Sequence, residues 1–129
     1  MSELPPNWGT AALGAPETCP VGGWDQLHFG LNLVTNGNPV LMTIGVDAVG
    51  QTAGASFAIV PLIDGQFFFN DRQSSETATG GEAGGRTVTQ IYPLSARQHT
   101  FQIGILCEGS VLVEKAWVTV YELPSLPRH

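Results

Sequence analysis

The stretch Trp24-Asp25-Gln26-Leu27-His28-Phe29-Gly30-Leu31-Asn32-Leu33-Val34-Thr35-Asn36-Gly37-Asn38-Pro39-Val40-Leu41-Met42-Thr43-Ile44-Gly45-Val46 decides the fold class of this chain. Leu27, Phe29, Leu31 and Leu33 recur at every second position, the period of a strand with one buried face. Thr35-Asn36-Gly37-Asn38 supplies residues that tolerate positive φ, as a tight turn requires. A second strand over residues 40–46 then completes an expected hairpin.

The same pattern continues outward. A Gly/Ala/Gln loop leads to a strand over 57–63, and Asp64-Gly65 signals a second hairpin into residues 66–70. Pro61 lies inside that strand and cannot donate to a ladder, which points to an edge or a bulge. Residues 71–85 are small and polar, too long for a simple turn, and read as a loop. Strands follow over 86–92, 99–107 and 111–123, the last two joined at Glu108-Gly109-Ser110. No amphipathic helix and no internal repeat appear. Seven or eight strands without interleaved helices predict an all-β sandwich, jelly roll or barrel.

The 129 residues form one domain by size. The expected organisation is an extended N-terminal arm over 1–23, a β domain over 24–123 and a short tail over 124–129. The arm carries Pro5, Pro6, Pro16, Pro20 and Gly22-Gly23 and shows no strand period. Proline presets an extended backbone that docks at little entropic cost. Trp8 and Leu13 are its apolar anchors, with the parent domain or a neighbouring subunit as the surface they meet.

Charge is scarce. Five cations and eleven carboxylates make up 12% of the chain, about half the usual share. A surface rich in Thr, Gln, Ser and Asn is one explanation. Cover by other copies or by a larger assembly is another, since exposed apolar patches mark interaction surfaces. A net charge of -6 leaves no basic stripe for phosphates, so no nucleic-acid partner is expected. The longest apolar runs fall short of the roughly 20 residues that span a bilayer, so no membrane role is expected either.

The first residues, Met1-Ser2-Glu3-Leu4-Pro5-Pro6, lack the charged and apolar regions of a secretory signal, which predicts assembly in the cytosol. In that compartment Cys19 and Cys107 are expected as free thiols.

The residues of enzymatic chemistry do not assemble. His28, His99 and His129 are scattered, with no metal-ligand spacing. Asp64, Asp71 and Glu76 could surround one hairpin end and bind calcium weakly, though a solvated loop is the better reading. His99 and Cys107 share a strand face, but eight extended residues put them roughly 26 Å apart. No nucleophile elbow, phosphate loop or dinucleotide fingerprint is present, and Gly80-Gly81 and Gly84-Gly85 read as loop flexibility. Asp25, Glu108, Glu114 and Glu122 cannot be paired as glycosidase carboxylates from sequence. No catalytic residue, cofactor or metal is expected.

Aromatic residues carry more information. Phe67-Phe68-Phe69 must project to both faces of a strand. Trp117, Thr119, Tyr121 and Leu123 share one face of the last strand, opposite Val118, Val120 and Glu122. Either the domain buries both faces or one of them is a self-association surface.

Residues 39–46, the tip Ile63-Asp64-Gly65, the run Leu94-Ser95-Ala96-Arg97-Gln98-His99-Thr100-Phe101, Glu108-Gly109-Ser110 and the closing Val118-Thr119-Val120-Tyr121-Glu122-Leu123 resemble a known family. They look like the trimeric jelly rolls of the tumour-necrosis-factor and complement-head type, versions of which occur in phage virion proteins. The resemblance covers residues 24–123. It departs from the animal members in lacking a signal peptide, a collagen-like stalk and a membrane anchor.

The resemblance implies a jelly-roll sandwich of about eight antiparallel strands that forms a homotrimer. Phe67, Phe69, Trp117 and Tyr121 are then candidates for the trimer face, and Trp8 and Leu13 for arm docking. The implied role is a non-enzymatic virion protein, a capsid decoration assembled in the host cytoplasm with the major capsid protein or another virion protein as partner. The alternative is a receptor- or glycan-binding head whose site is the 71–85 loop and nearby aromatics.

Overall fold

The computed structural model describes residues 7–20, 22–76 and 83–124. The expected features at Pro5, Pro6, Gly80-Gly81 and the end of the tail lie outside the described residues. Eleven strands run in chain order: β1 Trp8–Ala12, β2 Glu17–Thr18, β3 Asp25–Gln26, β4 Leu31–Val34, β5 Val40–Gly50, β6 Ser56–Ile63, β7 Gln66–Phe67, β8 Gln73–Glu76, β9 Ala83–Tyr92, β10 Gln98–Glu108 and β11 Val111–Glu122. A 3-10 turn, Phe69–Asp71, separates β7 from β8. All pairings are antiparallel, and they form two sheets.

The first sheet has the order β1-β11-β5-β9, with β2 also paired to β11. The second has the order β3-β10-β6-β7, with β4 also on β10 and β8 also on β6. Alternate side chains of both sheets meet between them. Met42, Ile44 and Val46 of β5 face Phe101, Ile103 and Ile105 of β10, all fully buried.

On β11 this alternation survives only because of a bulge between Val113 and Lys115. Val111 and Val113 point inward before it, and Ala116, Val118 and Val120 after it. The extra residue changes the parity and keeps both halves of a long strand on the core.

The opening hairpin does not form. β4 pairs with β10 in the second sheet, whereas β5 lies between β11 and β9 in the first. Gly37 has the positive φ of 93° that the turn chemistry requires, but the turn carries the chain between sheets. The strand expected over 24–34 is also two short pieces, β3 and β4, interrupted at Leu27–Gly30, where Leu27 is fully buried.

The hairpin at Asp64-Gly65 does form, with φ of 52° and 82° as a two-residue turn of this hand requires. Pro61 sits inside β6 with neighbours on both sides. Its missing donor costs no bond, because β8 pairs only with Ser56–Ile59 and β7 only with Leu62 and Ile63. The Pro61 carbonyl points into that gap and accepts from Phe68 N at 3.0 Å.

The N-terminal segment is no free arm. β1 runs along β11, and β2 continues beside the same strand. Leu13 is spent within the domain: its N–H donates to Ala116 O, and its side chain packs against the core. The 71–85 region likewise holds less loop than composition predicts. Gln73–Glu76 pairs with β6, and Gly84 and Gly85 pair with Ala48 and Asp47 of β5.

Cys19 and Cys107 form a disulfide, with Cα atoms 6.5 Å apart and 88 positions between them in sequence. Free thiols were the expectation from compartment alone. Folding sets the end of the β2 segment, on the first sheet, against the last turn of β10 on the second, inside the reach of a disulfide. The bond links the two sheets covalently.

Candidate functional site

The register of the first sheet assembles an outer face in three rows. Trp8, Tyr121, Leu41 and Ile91 lie side by side across four strands. Thr10, Thr119, Thr43 and Thr89 form the next row, with hydroxyls 3.1 Å apart in the first pair and 3.2 Å in the last. Ala12, Trp117, Gly45 and Thr87 form the third. None carries a charge. Trp8 is 61% exposed, Ile91 55% and Tyr121 39%.

Trp117 lies over Gly45, where a Cβ would come within 2.0 Å of the indole. The glycine gives the ring a flat seat on the sheet. Gly45→Ala is expected to lift Trp117 off, moving its fluorescence to the red and costing about 1–3 kcal/mol in urea unfolding.

The second sheet repeats this device on its opposite outer face. A Cβ on Gly104 would meet the Phe67 ring at 2.7 Å, so Phe67 covers β10 as Trp117 covers β5. Phe67 and Phe69 stack with centroids 5.5 Å apart, and Trp24 meets Phe69 edge-on at 5.3 Å. The 3-10 turn after β7 puts both phenylalanines on one side, while Phe68 turns inward against Tyr92 at 4.7 Å. Phe69 is 51% exposed. Beneath this cap Val60 and Leu62 are buried outside the main core.

The four residues expected on one trimer face are therefore divided. Trp117 and Tyr121 belong to the first sheet, Phe67 and Phe69 to the outer side of the second. A sandwich holds these faces apart by its full thickness, so no single flat contact collects them. Trp8, expected to dock with the arm, instead joins Tyr121 on the first face. Sequence reasoning missed Leu41, Ile91 and the threonine row, because a row across strands depends on long-range register. Thr119 between Trp117 and Tyr121, and Thr89 two positions after Thr87, were its local signals.

Two polar locks hold the ends of the sandwich. Glu122 is 2% exposed, and its carboxylate accepts from Asn7 Nδ2 at 2.7 Å, Asn36 N at 2.8 Å and Asn38 N at 3.0 Å. One buried anion thus joins β1's entry, the sheet-crossing turn and the end of β11. At the Asp64 turn, Asp64 Oδ2 lies 2.6 Å from His99 Nδ1 and 3.1 Å from Arg97 Nη2, and Oδ1 accepts from Thr100 N at 2.8 Å. Burial pushes the Asp64 carboxyl up, but the His99 and Thr100 hydrogen bonds and the His99 and Arg97 charges outweigh it and hold it below its ordinary value.

Asp71 is likewise engaged, accepting from Tyr92 OH at 2.6 Å. Burial first, and this carboxylate second, push the Tyr92 hydroxyl well above the usual tyrosine range. Asp64 and Asp71 thus serve protein donors, so the cation cluster considered from sequence has no geometric basis in these two residues. Glu17 bonds the exposed His28 ring, and that hydrogen bond, aided by the Glu17 charge, raises the imidazole above its ordinary 6.5.

No protein-family model and no curated protein sequence matches the chain. Solved structures do. A chain of infectious bursal disease virus, Gx strain, superposes with a TM-score of 0.60 at 10% identity, covering 93% of this chain and 34% of that one. Eiger TNF from S. frugiperda superposes at 0.57 and 4% identity, covering 95% and 94%. The fold is a jelly roll. Dimeric latent PorU from Porphyromonas gingivalis reaches 0.50 at 9% identity over 92% of this chain and 13% of its own. The chain spans about a third of the viral protein and nearly all of the TNF. At such identities the jelly-roll likeness concerns architecture alone.

Proposed function

We propose that this jelly roll is a non-enzymatic structural protein that self-associates as a homotrimer through the outer face of its first sheet. The observation that carries this reading is the uncharged surface formed by Trp8, Tyr121, Leu41 and Ile91 with the threonine row beside it. A sheet face turned to water ordinarily alternates core residues with charged and polar ones. Here it offers an aromatic and aliphatic band next to hydroxyls that pair among themselves, the composition of an interface core.

The role that fits is a virion component, a capsid decoration or accessory protein of a phage with a capsid subunit as its second partner. A jelly roll of like architecture lies in a chain of infectious bursal disease virus, which supports this use of the fold. The Cys19–Cys107 disulfide adds a condition: chains assembled in a reducing host cytoplasm would close it only on export or lysis. Nucleic acid and membrane stay outside this reading.

Native mass measurement tests it. The wild-type chain is expected at three times the monomer mass at micromolar concentration, and Tyr121→Lys with Ile91→Lys is expected to give a folded monomer. A wild-type monomer under these conditions overturns the assembly. Recovery of the protein on purified particles tests the virion role.

A further inference from the structure

The outer face of the second sheet is not used in that reading. Its aromatic cap ends beside an open groove of about 310 Å³ whose lining includes Ser56, Ala58, Arg72, Ser74, Leu106 and Glu108. Leu106 and Ala58 are register partners on β10 and β6 and make an apolar floor. Glu108 and Ser56 are the next outward pair along the same two strands. Arg72 closes the 3-10 turn that carries Phe69, its N–H donating to Phe69 O at 3.2 Å, so cap and groove share a wall.

We propose that this ledge and groove bind a neutral carbohydrate, with the Phe69 ring stacking on a sugar face and Arg72, Glu108, Ser56 and Ser74 meeting its hydroxyls. The chemistry selects the ligand by elimination. An anion would meet the Glu108 carboxylate, and a cation the Arg72 guanidinium. A wholly apolar ligand would strip water from both charges and return no hydrogen bond. An extended peptide could not add as a strand beside β6, which is paired there on both sides, to β10 and to β8.

A sugar ring satisfies every element at once. Its C–H face packs on an aromatic ring or an aliphatic floor, and its rim hydroxyls both donate and accept. Arg72 can only donate and Glu108 can only accept, and the two serines do either. Few polar groups converging on an apolar surface is the general form of a small-ligand site. Phe67 and Trp24 both pack against Phe69, yet half of it remains open to solvent.

The test uses the full-length chain and a panel of neutral tri- and tetrasaccharides of glucose, galactose and mannose, with sialylated and sulfated glycans for comparison, titrated by calorimetry. Binding of at least one neutral oligosaccharide is expected, weakened about tenfold or more by Phe69→Ala and by Arg72→Gln. Tyr121→Lys, on the opposite face, is expected to leave it unchanged. Arg72→Gln removes no core contact, so it keeps the test decisive if Phe69→Ala unfolds. No binding at millimolar sugar, a preference for the charged glycans, or undiminished binding by both variants overturns the proposal. So does a Phe69→Ala chain that loses its oligomeric mass, which would make the ledge a subunit contact. Loss of the oligomer in Tyr121→Lys with sugar binding intact would separate this site from the assembly face.

Discussion

Replacing both cysteines, Cys19→Ser with Cys107→Ser, is expected to lower the unfolding free energy by about 4.5 kcal/mol, the chain-entropy value for so long a loop. The bond closes 88 positions of chain, so in the unfolded state it ties off a loop that spans most of the β domain. A domain's whole stability is about 5–15 kcal/mol. The midpoint of thermal unfolding should therefore fall on the order of 10–20 °C. Reductant should reproduce the shift in the wild-type chain and leave the double variant unmoved. Equal midpoints with and without reductant would show that the bond does not hold the two sheets in solution. The bond also pins the end of β2, so its loss should raise amide exchange over residues 8–18 before the core strands respond.

Glu122→Ala should cost about 3 kcal/mol, measured as a fall in the urea midpoint at constant slope. The substitution removes from beneath this turn the buried acceptor that Asn7, Asn36 and Asn38 share. Charge-assisted bonds to backbone N–H are about twice as strong as neutral ones, so the loss exceeds that of an ordinary side-chain contact. Glu122→Gln should recover part of it, since one amide oxygen still accepts while its NH2 opposes a donor. Wild-type stability in Glu122→Ala would mean that water replaces the carboxylate and that the turn does not depend on it. Because β4 and β5 belong to different sheets, the expected effect extends beyond the turn to the sheet-to-sheet connection.

Much of the architecture is legible before folding. Alternation over β5, β10 and β11 identifies strands and their inward residues, and Asp64-Gly65 identifies a two-residue turn whose φ values are both positive. The exposed aromatics of both candidate faces, Tyr121 and Phe69, also stand out in the sequence. Their separation does not. Residue period tells which side of a strand is apolar, but not which sheet the strand joins, and that choice assigns Tyr121 and Phe69 to opposite sides of the sandwich.

The same limit explains the other differences. Asn36-Gly37 has identical chemistry whether it closes a hairpin or crosses between sheets, and distant partners select the crossing, among them the Glu122 carboxylate, 84 to 86 positions away, and the Arg97 carbonyl that accepts from Thr35 N. Proline composition read residues 1–23 as an arm, whereas β1 and β2 within it are strands stabilised by β11 from the far end of the chain. The sequence by itself determined an all-β chain, the faces of its long strands β5, β10 and β11 and the turn at Asp64-Gly65, because these depend on neighbours two to four residues apart. Tertiary structure alone decided the cysteine pairing, the row of threonines and the groove lined by both Arg72 and Glu108, because each requires partners whose separation along the chain no local period records.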